Sequence, residues 1–390
     1  MSNRAGKFQV GMIRTSGSKW RRLSTFVGML MIMGAWSISS RAETSKLRII
    51  VVSSYHREYL WSQGTNRGFC DAMLKLGYFD TQKQVEEYTK NDYVESSRVI
   101  VKKLWMDTKR NSSRSKMAEA ATEITRIAKA FQPDLLFLGD DNAANYIGNQ
   151  FLDTEIPIVF WGINNTPVKY GLVDSLEHPG HNATGIYQSG YYVESLQLLK
   201  TLAPTATTFA ILSDESETGR SHVKAIEFLA SHDQLPLKLV ESVMTSEFEV
   251  WKTKALQLQE NVDAFFIAQY SALKDEGAKY VPPEEAAGWY LRHIHIPEAT
   301  NQEQFVKQGM LCGADDSAYN QGYEAVLVAH DLLTTKTKPA DYAPRAPKRG
   351  ALMANQQRAA MLGIQLGPKT GIEQIFEEAP VLKDQDGTKQ

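Results

Sequence analysis

Two short apolar runs, each followed at once by polar residues, lie between Pro133 and Asn165. The first, 135–138, leads through a glycine into Asp140-Asp141-Asn142, in which Asp141 or Asn142 can cap a short helix. The second, 156–160, leads into Trp-Gly-Ile-Asn-Asn. Short apolar runs of this kind predict buried strands, and in open α/β sheets ligands bind at the carboxyl ends of the strands. We therefore interpret this stretch as half of a binding cleft.

The same alternation of strands and helices continues along the chain. Strands are predicted at 47–53, 85–89, 135–138, 156–160, 182–187, 209–213, 237–243, 264–268, 293–297, 310–313 and 352–355. Helices are predicted from residue 62 onward and at 93–105, 117–131 and 320–333. Strand and helix in regular succession predict parallel sheets with right-handed crossovers. The sequence thus indicates an α/β protein built from two successive units of similar size.

The first 42 residues have the layout of a cleavable signal peptide. Lys19, Arg21 and Arg22 precede an apolar run, 26–38, and the segment Ser-Arg-Ala at 40–42 offers small residues for cleavage. The run is too short to span a bilayer; an uncleaved membrane anchor is the alternative. No cysteine directly follows the run, so a lipid anchor is not expected.

Removal of this leader changes the charge of the chain. The leader holds seven of the 43 Lys and Arg residues and none of the 45 Asp and Glu residues, so the remainder carries a net charge of −9. An acidic protein of this kind is a poor candidate for binding nucleic acid or anionic membrane surfaces. Its two cysteines, Cys70 and Cys312, can either form a disulfide after export or remain buried and free.

No motif for catalysis or for metal binding stands out. The sequence has no nucleophile elbow, phosphate-binding glycine loop or zinc motif. Paired carboxylates could serve glycoside hydrolysis, but nothing singles out two of them. The acidic segment 140–142 would suit Ca²⁺ or Mg²⁺, yet its spacing is not that of an EF-hand loop, and His293 with His295 on one strand is too weak a metal signal. We expect no enzyme, no cofactor and no metal.

Several segments, taken in order and spacing, resemble those of a known family. They are 156–160, 170–173, 179–185, 351–355 and 362–364, with 54–56, Trp61, 106–110 and 140–143 typical of one branch. Over nearly the whole chain after the leader, the sequence resembles the ABC transporter substrate-binding proteins of the type I periplasmic-binding fold. Within that family it is similar to the group related to tryptophan/tyrosine-type solute receptors.

The resemblance implies two lobes joined by a hinge of several segments, each lobe a parallel sheet flanked by helices. The first lobe would comprise 43–203 plus 314–338, the second 204–313 plus 339–380, and residues 381–390 would form a mobile tail. Many members of the family are lipoproteins, whereas this chain lacks the lipid-acceptor cysteine. Free diffusion in a bacterial periplasm is therefore expected.

The function implied by the resemblance is that of a periplasmic receptor. It would capture a small organic solute, amino-acid-like or aromatic, between the lobes and deliver it unchanged to a membrane permease. The alternative is a periplasmic sensing subunit that signals to a membrane sensor protein by the same closure. A monomer is expected in either case.

Candidate ligand-binding residues follow the predicted strands of both lobes. In the first lobe they are Ser54, Tyr55, His56, Trp61, Asp107, Arg110, Asp140, Asp141, Asn142, Trp161, Asn164 and Tyr187. After the predicted strands at 209–213, 264–268 and 310–313 they are Asp214, Glu215, Gln269 and Asp315.

Each candidate has a structural alternative. Tyr55 and Trp61 can stack on a ring or an apolar solute, although Trp61 could equally pack in the core. Arg110 can grip an anionic group or form an ion pair with Asp107. The acidic residues can accept hydrogen bonds from amino or hydroxyl groups, or they can form solvated turns.

Overall fold

The computed structural model describes residues 45–383, so the predicted signal peptide and residues 384–390 of the predicted tail lie outside the described residues. The strands are β1 (Leu47–Ser53), β2 (Tyr93–Glu95), β3 (Val99–Trp105), β4 (Leu135–Gly139), β5 (Ile158–Ile163), β6 (Ala183–Tyr187), β7 (Thr208–Ser213), β8 (Lys238–Met244), β9 (Ala264–Ile267), β10 (Glu298–Thr300), β11 (Cys312–Ala314), β12 (Leu352–Asn355) and β13 (Gln374–Phe376). The helices are α1 (Leu60–Lys75), α2 (Gln82–Asn91), α3 (Arg114–Phe131), α4 (Asp140–Ile147), α5 (Tyr192–Leu202), α6 (Glu217–Ser231), α7 (Phe248–Leu258), α8 (Pro283–His293), α9 (Glu303–Gln308), α10 (Ala318–Thr335) and α11 (Gln356–Met361).

The first lobe is built on a six-stranded sheet in the order β2-β3-β1-β4-β5-β6. Adjacent strands of this sheet run parallel, except that β2 at the edge runs antiparallel to β3. In β1, Ile49 and Val51 pack on one face with residues of α1 and α10, while Ile50 and Val52 pack on the other with residues of α3 and α4. Because both faces are covered, the strand is apolar along its length.

The second lobe is built on a seven-stranded sheet in the order β13-β12-β11-β10-β9-β7-β8. Only β12 runs antiparallel to a neighbour, β11, among the described strands of this sheet. Strand β7 is again buried on both faces, with Phe209 and Ile211 in one cluster and Ala210 and Leu212 in the other. The predicted two-lobed α/β fold is confirmed, with the difference that each sheet is mixed rather than purely parallel.

Three segments connect the two sheets. The chain leaves β6 for α5, which packs against β10 and β11, and it returns from β11 into α10, which packs against α1 and β5. The third segment runs from α10 to β12 and first follows β6, where Thr184 Oγ1 donates to the carbonyl of Tyr342 and Ile186 pairs with Arg345. Several short connections of this kind permit two lobes to close by a hinge motion. The lobe bounds drawn from the sequence stay a prediction.

Three predicted elements are wrong. Residues 85–89 lie in helix α2, which is opened by a capping box between Thr81 and Gln84. Residues 93–105 form β2 and β3 rather than a helix, because their alternating valines pack into the core of the first lobe. Residues 293–297 are not a strand: His293 ends α8, and the strand follows as β10.

Two helices begin elsewhere than predicted. Helix α4 starts at Asp140 with Gly139 at its N-cap, so neither Asp141 nor Asn142 caps it. Helix α1 starts at Leu60, which places Trp61 in its first turn. Both shifts move candidate side chains from loops onto helix N-termini at the edge of the first sheet.

Over residues 45–383, no helix is both long and apolar enough to cross a membrane. Cys70 in α1 and Cys312 in β11 are buried and free in this part of the chain, and burial raises the pKa of the Cys70 thiol to about 11. Pro380–Leu382 forms a short helical turn, and its Val381 packs into the core of the second lobe. The chain is therefore still packed where the mobile tail is predicted to begin.

Helices α1 and α10 pack so closely that each needs a glycine. A Cβ on Gly68 would lie 1.9 Å from the carbonyl oxygen of Tyr319, and one on Gly322 would lie 2.0 Å from that of Thr65. We expect Gly68→Ala to lower the free energy of unfolding by about 2 kcal/mol in urea denaturation, because backbone atoms cannot yield as a side chain would. Gly367→Ala is the control, since no atom lies within 4 Å of its added Cβ. Equal stability of the two variants would contradict this account of the helix contact.

Candidate functional site

The carboxyl ends of the strands in the two sheets face each other. From the first sheet, the segments after β1, β3, β4 and β5 contribute residues 54–56, 106–110, 140–142 and 164–165. From the second sheet, the segments after β7, β9, β10 and β11 contribute residues 214–217, 268–271, 301–302 and 315–316. Most of these polar residues are buried, which is unusual for strand-end loops and indicates that the two edges cover each other.

Direct hydrogen bonds join the two lobes across this interface. The hydroxyl oxygens of Tyr55 and Thr218 lie 2.9 Å apart, and the Tyr59 hydroxyl donates to Ser271 Oγ at 3.1 Å. The backbone N–H of Trp61 donates to Gln304 Oε1 at 3.0 Å. Each buried bond of this type contributes about 0.5–1.5 kcal/mol to closure, because it is replaced by bonds to water when the lobes separate.

The bonds continue into the second lobe as a chain of buried side chains. Gln304 Nε2 donates both to the Tyr59 hydroxyl at 2.9 Å and to Gln302 Oε1. Gln302 Nε2 lies 3.3 Å from His222 Nε2, and His222 Nδ1 lies 2.7 Å from the Tyr192 hydroxyl. Burial lowers the pKa of His222 to about 3, so its ring is neutral at pH 7 and its Nε2 accepts from Gln302.

A second interlobe contact lies at the rim, around Glu217. Its Oε1 accepts from Asn165 Nδ2 at 3.0 Å, from the Tyr170 hydroxyl at 3.3 Å and from Lys169 Nζ at 2.5 Å. The carboxylate lies at the first turn of α6 in the second lobe, whereas these three donors to Oε1 belong to the first lobe; Oε2 accepts from Arg220 of the same helix at 2.9 Å. This group of four residues therefore bridges the rim only while the lobes are close together.

Asp140 and Asp141 are buried carboxyl groups that shape the edge of the first sheet. Asp140 Oδ1 accepts from Trp61 Nε1 at 2.7 Å. Asp141 accepts from Asn164 Nδ2 at 2.7 Å and from the Tyr170 hydroxyl at 2.9 Å, with further bonds from backbone N–H groups after β5. Burial raises the pKa of both carboxyl groups, and the hydrogen bonds oppose that rise.

A buried lysine lies between the two edges. Lys109 follows β3, and its Nζ lies 4.6 Å from the centre of the Tyr55 ring and 5.5 Å from that of Tyr59. Its ammonium group has no hydrogen-bond partner within residues 45–383. Burial lowers the pKa of this lysine, while the carboxyl groups of Asp214 and Asp140 act in the opposite direction.

Further buried polar atoms follow β10 and β11 of the second sheet, near the connections between the lobes. Asp316 Oδ2 accepts from the backbone N–H of Gly190 at 2.9 Å, and its other oxygen has no partner in the described chain. Neither side-chain atom of Asn301 has a partner there. Asp315 Oδ1 accepts from the backbone N–H of Glu303 at 3.2 Å. Burial raises the pKa of Asp315 and of Asp316 to about 7.

Three cavities open at the rim of this interface. A cavity of about 690 Å³ is lined by Asn142 of the first lobe and Glu215 of the second lobe among others. A second of about 340 Å³ is lined by His56, Arg110 and Tyr280 among others, and a third of about 240 Å³ by Trp61 and Asp315 among others. A further cavity of about 420 Å³, lined by Pro157, His181 and Asn182 among others, lies at the opposite edge of the first sheet.

The structure brings most of the predicted site residues to this interface. Those that lie at the facing edges or line the rim cavities are Tyr55, His56, Trp61, Asp107, Arg110, Asp140, Asp141, Asn142, Asn164, Asp214, Glu215 and Asp315. His56 Nδ1 lies 3.2 Å from Asp107 Oδ1, and Arg110 contacts Glu58 at 3.0 Å and Asp107 at 3.8 Å. Burial lowers the pKa of His56 to about 4, and Arg110 adds to the effect, so this imidazole is neutral at pH 7.

Four predicted site residues have mainly structural contacts. Ser54 Oγ donates to the carbonyl of Gly139 at 2.7 Å and accepts from the N–H of Ala143. Trp161 packs with Phe69 and Phe137 in the core of the first lobe. Tyr187 packs against the core on the other face of that sheet. Gln269 Oε1 accepts from the backbone N–H groups of the next two residues.

Sequence reasoning missed several buried residues of the interface. They are Tyr59, Lys109, Thr218, His222, Ser271, Asn301, Gln302 and Gln304. Lys109 lies four residues after the end of β3, and Asn301 directly follows β10. Correct prediction of these two strands would therefore have pointed to both residues, because ligands bind at the carboxyl ends of strands. Gln304 and Thr218 lie in the first turns of helices, where no pattern distinguishes them from solvent-facing residues.

Known proteins share parts of this sequence and its fold. The chain is 26% identical over 186 residues to a tyrosine-binding protein of Clostridioides difficile (strain R20291), which covers 47% of this chain and 50% of that protein. The chain thus spans about half the length of the curated relative it matches. At 18% identity, its structure matches an ABC domain from Streptococcus pneumonia in complex with L-Trp with a TM-score of 0.65, over 85% of this chain and 100% of that one.

A second solved structure has a similar fold. It is the ligand-free, open form of a substrate-binding protein with adhesive properties from Clostridium difficile, with a TM-score of 0.58 and 20% identity over 85% of this chain and 100% of that one. The sequence profile described as ABC transporter substrate binding protein matches residues 100–373, which is more than half of the chain. The chain belongs to the ABC transporter substrate-binding protein family.

Proposed function

We propose that this protein captures a small organic solute between its two lobes and delivers it unchanged to the membrane permease of an ABC importer. The observation that carries the proposal is the buried polar interface between the two sheet edges, in which hydrogen bonds such as Tyr55 to Thr218 join one lobe to the other. Groups that are satisfied only when the lobes meet give a solute between them a means to stabilise closure.

The solute we propose is amino-acid-like or aromatic. The rings of Tyr55, Tyr59 and Trp61 cluster at the interface, where they offer apolar surface with polar atoms at its margin. Buried carboxyl groups of Asp140 and Asp214 offer acceptors beside these rings. The tyrosine-binding relative and the L-Trp complex of a protein with the same fold support this choice of solute class.

The site of action we propose is the periplasm, reached through the leader at residues 1–42. The net charge of −9 after the leader favours a freely diffusing protein over one held on an anionic membrane surface. A membrane permease is the partner that the proposed transport function requires.

The proposal predicts that a solute will stabilise and compact the protein without being consumed. Purified protein is heated with L-tyrosine, L-tryptophan, L-phenylalanine and aromatic acids, with ribose and glucose as controls. At a concentration of 100 Kd a ligand adds about 2.7 kcal/mol to the free energy of unfolding, which raises the melting temperature measurably. We expect at least one aromatic compound to do so and to reduce the radius of gyration in small-angle scattering.

Two results would contradict the proposal. The first is a melting temperature and a scattering curve that no compound of a broad metabolite library changes. The second is recovery of a bound compound in chemically altered form, as measured by mass spectrometry of the released solute, because a receptor returns its ligand intact.

A further inference from the structure

Lys109 is a buried cation whose hydrogen-bond donors are unused. Its side chain is 2% exposed, and an ammonium group carries three donors and no acceptor. Its Nζ makes no hydrogen bond to any residue between 45 and 383, and it lies over the faces of the Tyr55 and Tyr59 rings. A buried charge without hydrogen bonds costs several kcal/mol, so a group of this kind calls for a partner.

The carboxyl groups around Lys109 do not serve as that partner. Asp214 accepts from the backbone N–H groups of Ser216 at 3.0 Å and Ala272 at 2.8 Å. Asp140 is held by Trp61 Nε1, and Asp141 by donors of the segment after β5. These groups stabilise the positive charge from a distance, yet each is fixed by donors of its own lobe and leaves the lysine donors free.

The charge of Lys109 interacts with residues of the other lobe. Lys109 belongs to the first lobe, but its charge acts on His222 of the second lobe and is stabilised by Asp214 of the second lobe. His222 is bonded to Gln302, and the adjacent Asn301 has a buried amide without a partner in the described chain. Donors without partners are thus contributed by both sides of the same interface.

We propose that Lys109 binds the anionic group of the solute, a carboxylate, when the lobes close. This inference rests on the proposed function and narrows the solute to compounds that carry such a group. An ammonium–carboxylate bond in a dry site is short and about twice as strong as a neutral one, so it distinguishes an acid from its decarboxylated analogue. The aspartates nearby suit an ammonium group on the same solute, which favours a zwitterion.

The test compares acids with their decarboxylated amines on folded variants. Affinities of L-tyrosine, tyramine, L-tryptophan and tryptamine are measured by calorimetry for the parent, Lys109→Met and Lys109→Arg. We expect the parent to bind each amino acid at least about 10-fold tighter than its amine, corresponding to one charge-assisted bond. The ratio should fall to within about 3-fold in Lys109→Met and be largely kept in Lys109→Arg. Because both ligands are measured on the same variant, a loss of stability does not enter the ratio.

Lys103 provides a matched control. It is also a buried lysine, 4% exposed, but its Nζ donates to Asn66 Oδ1 at 2.9 Å inside the first lobe. Lys103→Met should lower stability and leave the ratio of acid to amine affinity as it is in the parent. A ratio unchanged in Lys109→Met, or one lost equally in Lys103→Met, would overturn the inference and leave Lys109 as a counter-charge for the aspartates.

Failure of the proposed solute class can be told apart from failure of this inference. If none of the four compounds binds the parent, the aromatic amino acids are the wrong solutes, and the solute that co-purifies is identified by native mass spectrometry. The inference then stands if that solute is anionic or zwitterionic and Lys109→Met releases it. A neutral or purely cationic solute overturns it, and the absence of any bound solute overturns both proposals.

Discussion

Glu298→Gln is expected to lower the free energy of unfolding by about 3–5 kcal/mol, because it leaves the guanidinium of Arg358 buried without its counter-ion. The side chains of the pair are 0% and 1% exposed, and Arg358 Nη2 lies 2.8 Å from Glu298 Oε2. Arg358 Nε also donates to Oε1 at 3.1 Å, so the contact is bidentate. Arginine cannot discharge by losing a proton, so the variant has no way to relieve the cost.

The Glu298–Arg358 pair joins a helix to the centre of the second sheet. Glu298 begins β10 in the middle of the second sheet, and Glu298 Oε1 also accepts from the backbone N–H of Leu311 at 2.7 Å. Arg358 lies in α11 and additionally donates to the carbonyl of Ile296 at 3.2 Å. The pair therefore fixes α11 to the sheet and positions the strand that delivers Asn301 and Gln302 to the interface.

Urea denaturation at pH 7 measures the effect, with two further variants for comparison. Glu298→Met combined with Arg358→Met should cost less than the single Glu298→Gln, since apolar residues of similar volume remove both charges together. Glu123→Gln breaks a surface pair with Arg126 whose side chains are more than half exposed, and it should change stability by less than about 0.5 kcal/mol. A loss below about 1 kcal/mol in Glu298→Gln would show that the buried pair contributes little.

The sequence could predict the strands whose side chains are buried on both faces. β1, β4, β5 and β7 are short, nearly continuous apolar runs, because each contributes to a core on either side of its sheet. Their carboxyl ends then located Tyr55, Asp140, Asn164 and Asp214 without knowledge of the fold. Family resemblance added the hinge of several segments that joins the two lobes.

Strands that carry charged residues among their apolar ones could not be predicted from the sequence. β3 carries Lys102 and Lys103 next to its valines, and the aliphatic part of Lys103 is buried while its Nζ bonds to Asn66, so the run reads as amphipathic. β10 contains a buried glutamate whose counter-ion is the distant Arg358. In both cases a partner far away in the sequence decides the conformation, and the residues that follow, Lys109 and Asn301, were missed with the strand.

The roles of the acidic residues also depended on distant partners. Asp141 was predicted to cap α4 or to bind a solute, but Asn164, Asn165 and Tyr170 use its carboxylate to fix the segment after β5. Asp140 has a φ of +69°, a backbone conformation that L residues rarely adopt, and its side chain accepts a hydrogen bond from Trp61 Nε1 in that conformation. The position of these residues at the carboxyl ends of predicted strands was evident from the sequence, whereas their hydrogen-bond partners could be identified only from the structure.

The ionisation of Asp316 is expected to make the free energy of unfolding depend on pH. It follows β11 where the chain crosses to α10, and burial raises its pKa to about 7, with the charge of Asp315 adding to the rise. The backbone N–H groups of Gly190 and Ser189 and the side chain of Gln321 face it and oppose that rise. Asp315 is raised to about 7 as well, with Glu303 adding to the effect of burial and Lys307 opposing it.

We therefore expect Asp316→Asn to stabilise the protein at pH 8 and to have little effect at pH 4.5. In the unfolded chain an aspartate has a pKa near 3.8, so between about pH 4 and pH 7 the folded protein holds a proton that the unfolded chain has lost. Stability consequently falls as the pH rises through this range, by up to about 1.4 kcal/mol per pH unit for one group. Asparagine resembles the protonated acid and can still accept from Gly190, so the variant should gain about 2–4 kcal/mol over the parent at pH 8.

Urea denaturation across this pH range measures the gain. Asp263→Asn serves as a control of opposite sign, because the N–H groups of Thr207 and Thr208 lower the pKa of Asp263 to about 2. The stability that the Asp263 carboxylate contributes is therefore lost on acidification. A difference between Asp316→Asn and the parent that stays constant from pH 4.5 to pH 8 would mean that this carboxyl group is ionised in the folded protein throughout, and the charge at the crossing to α10 would then not limit the stability of the fold.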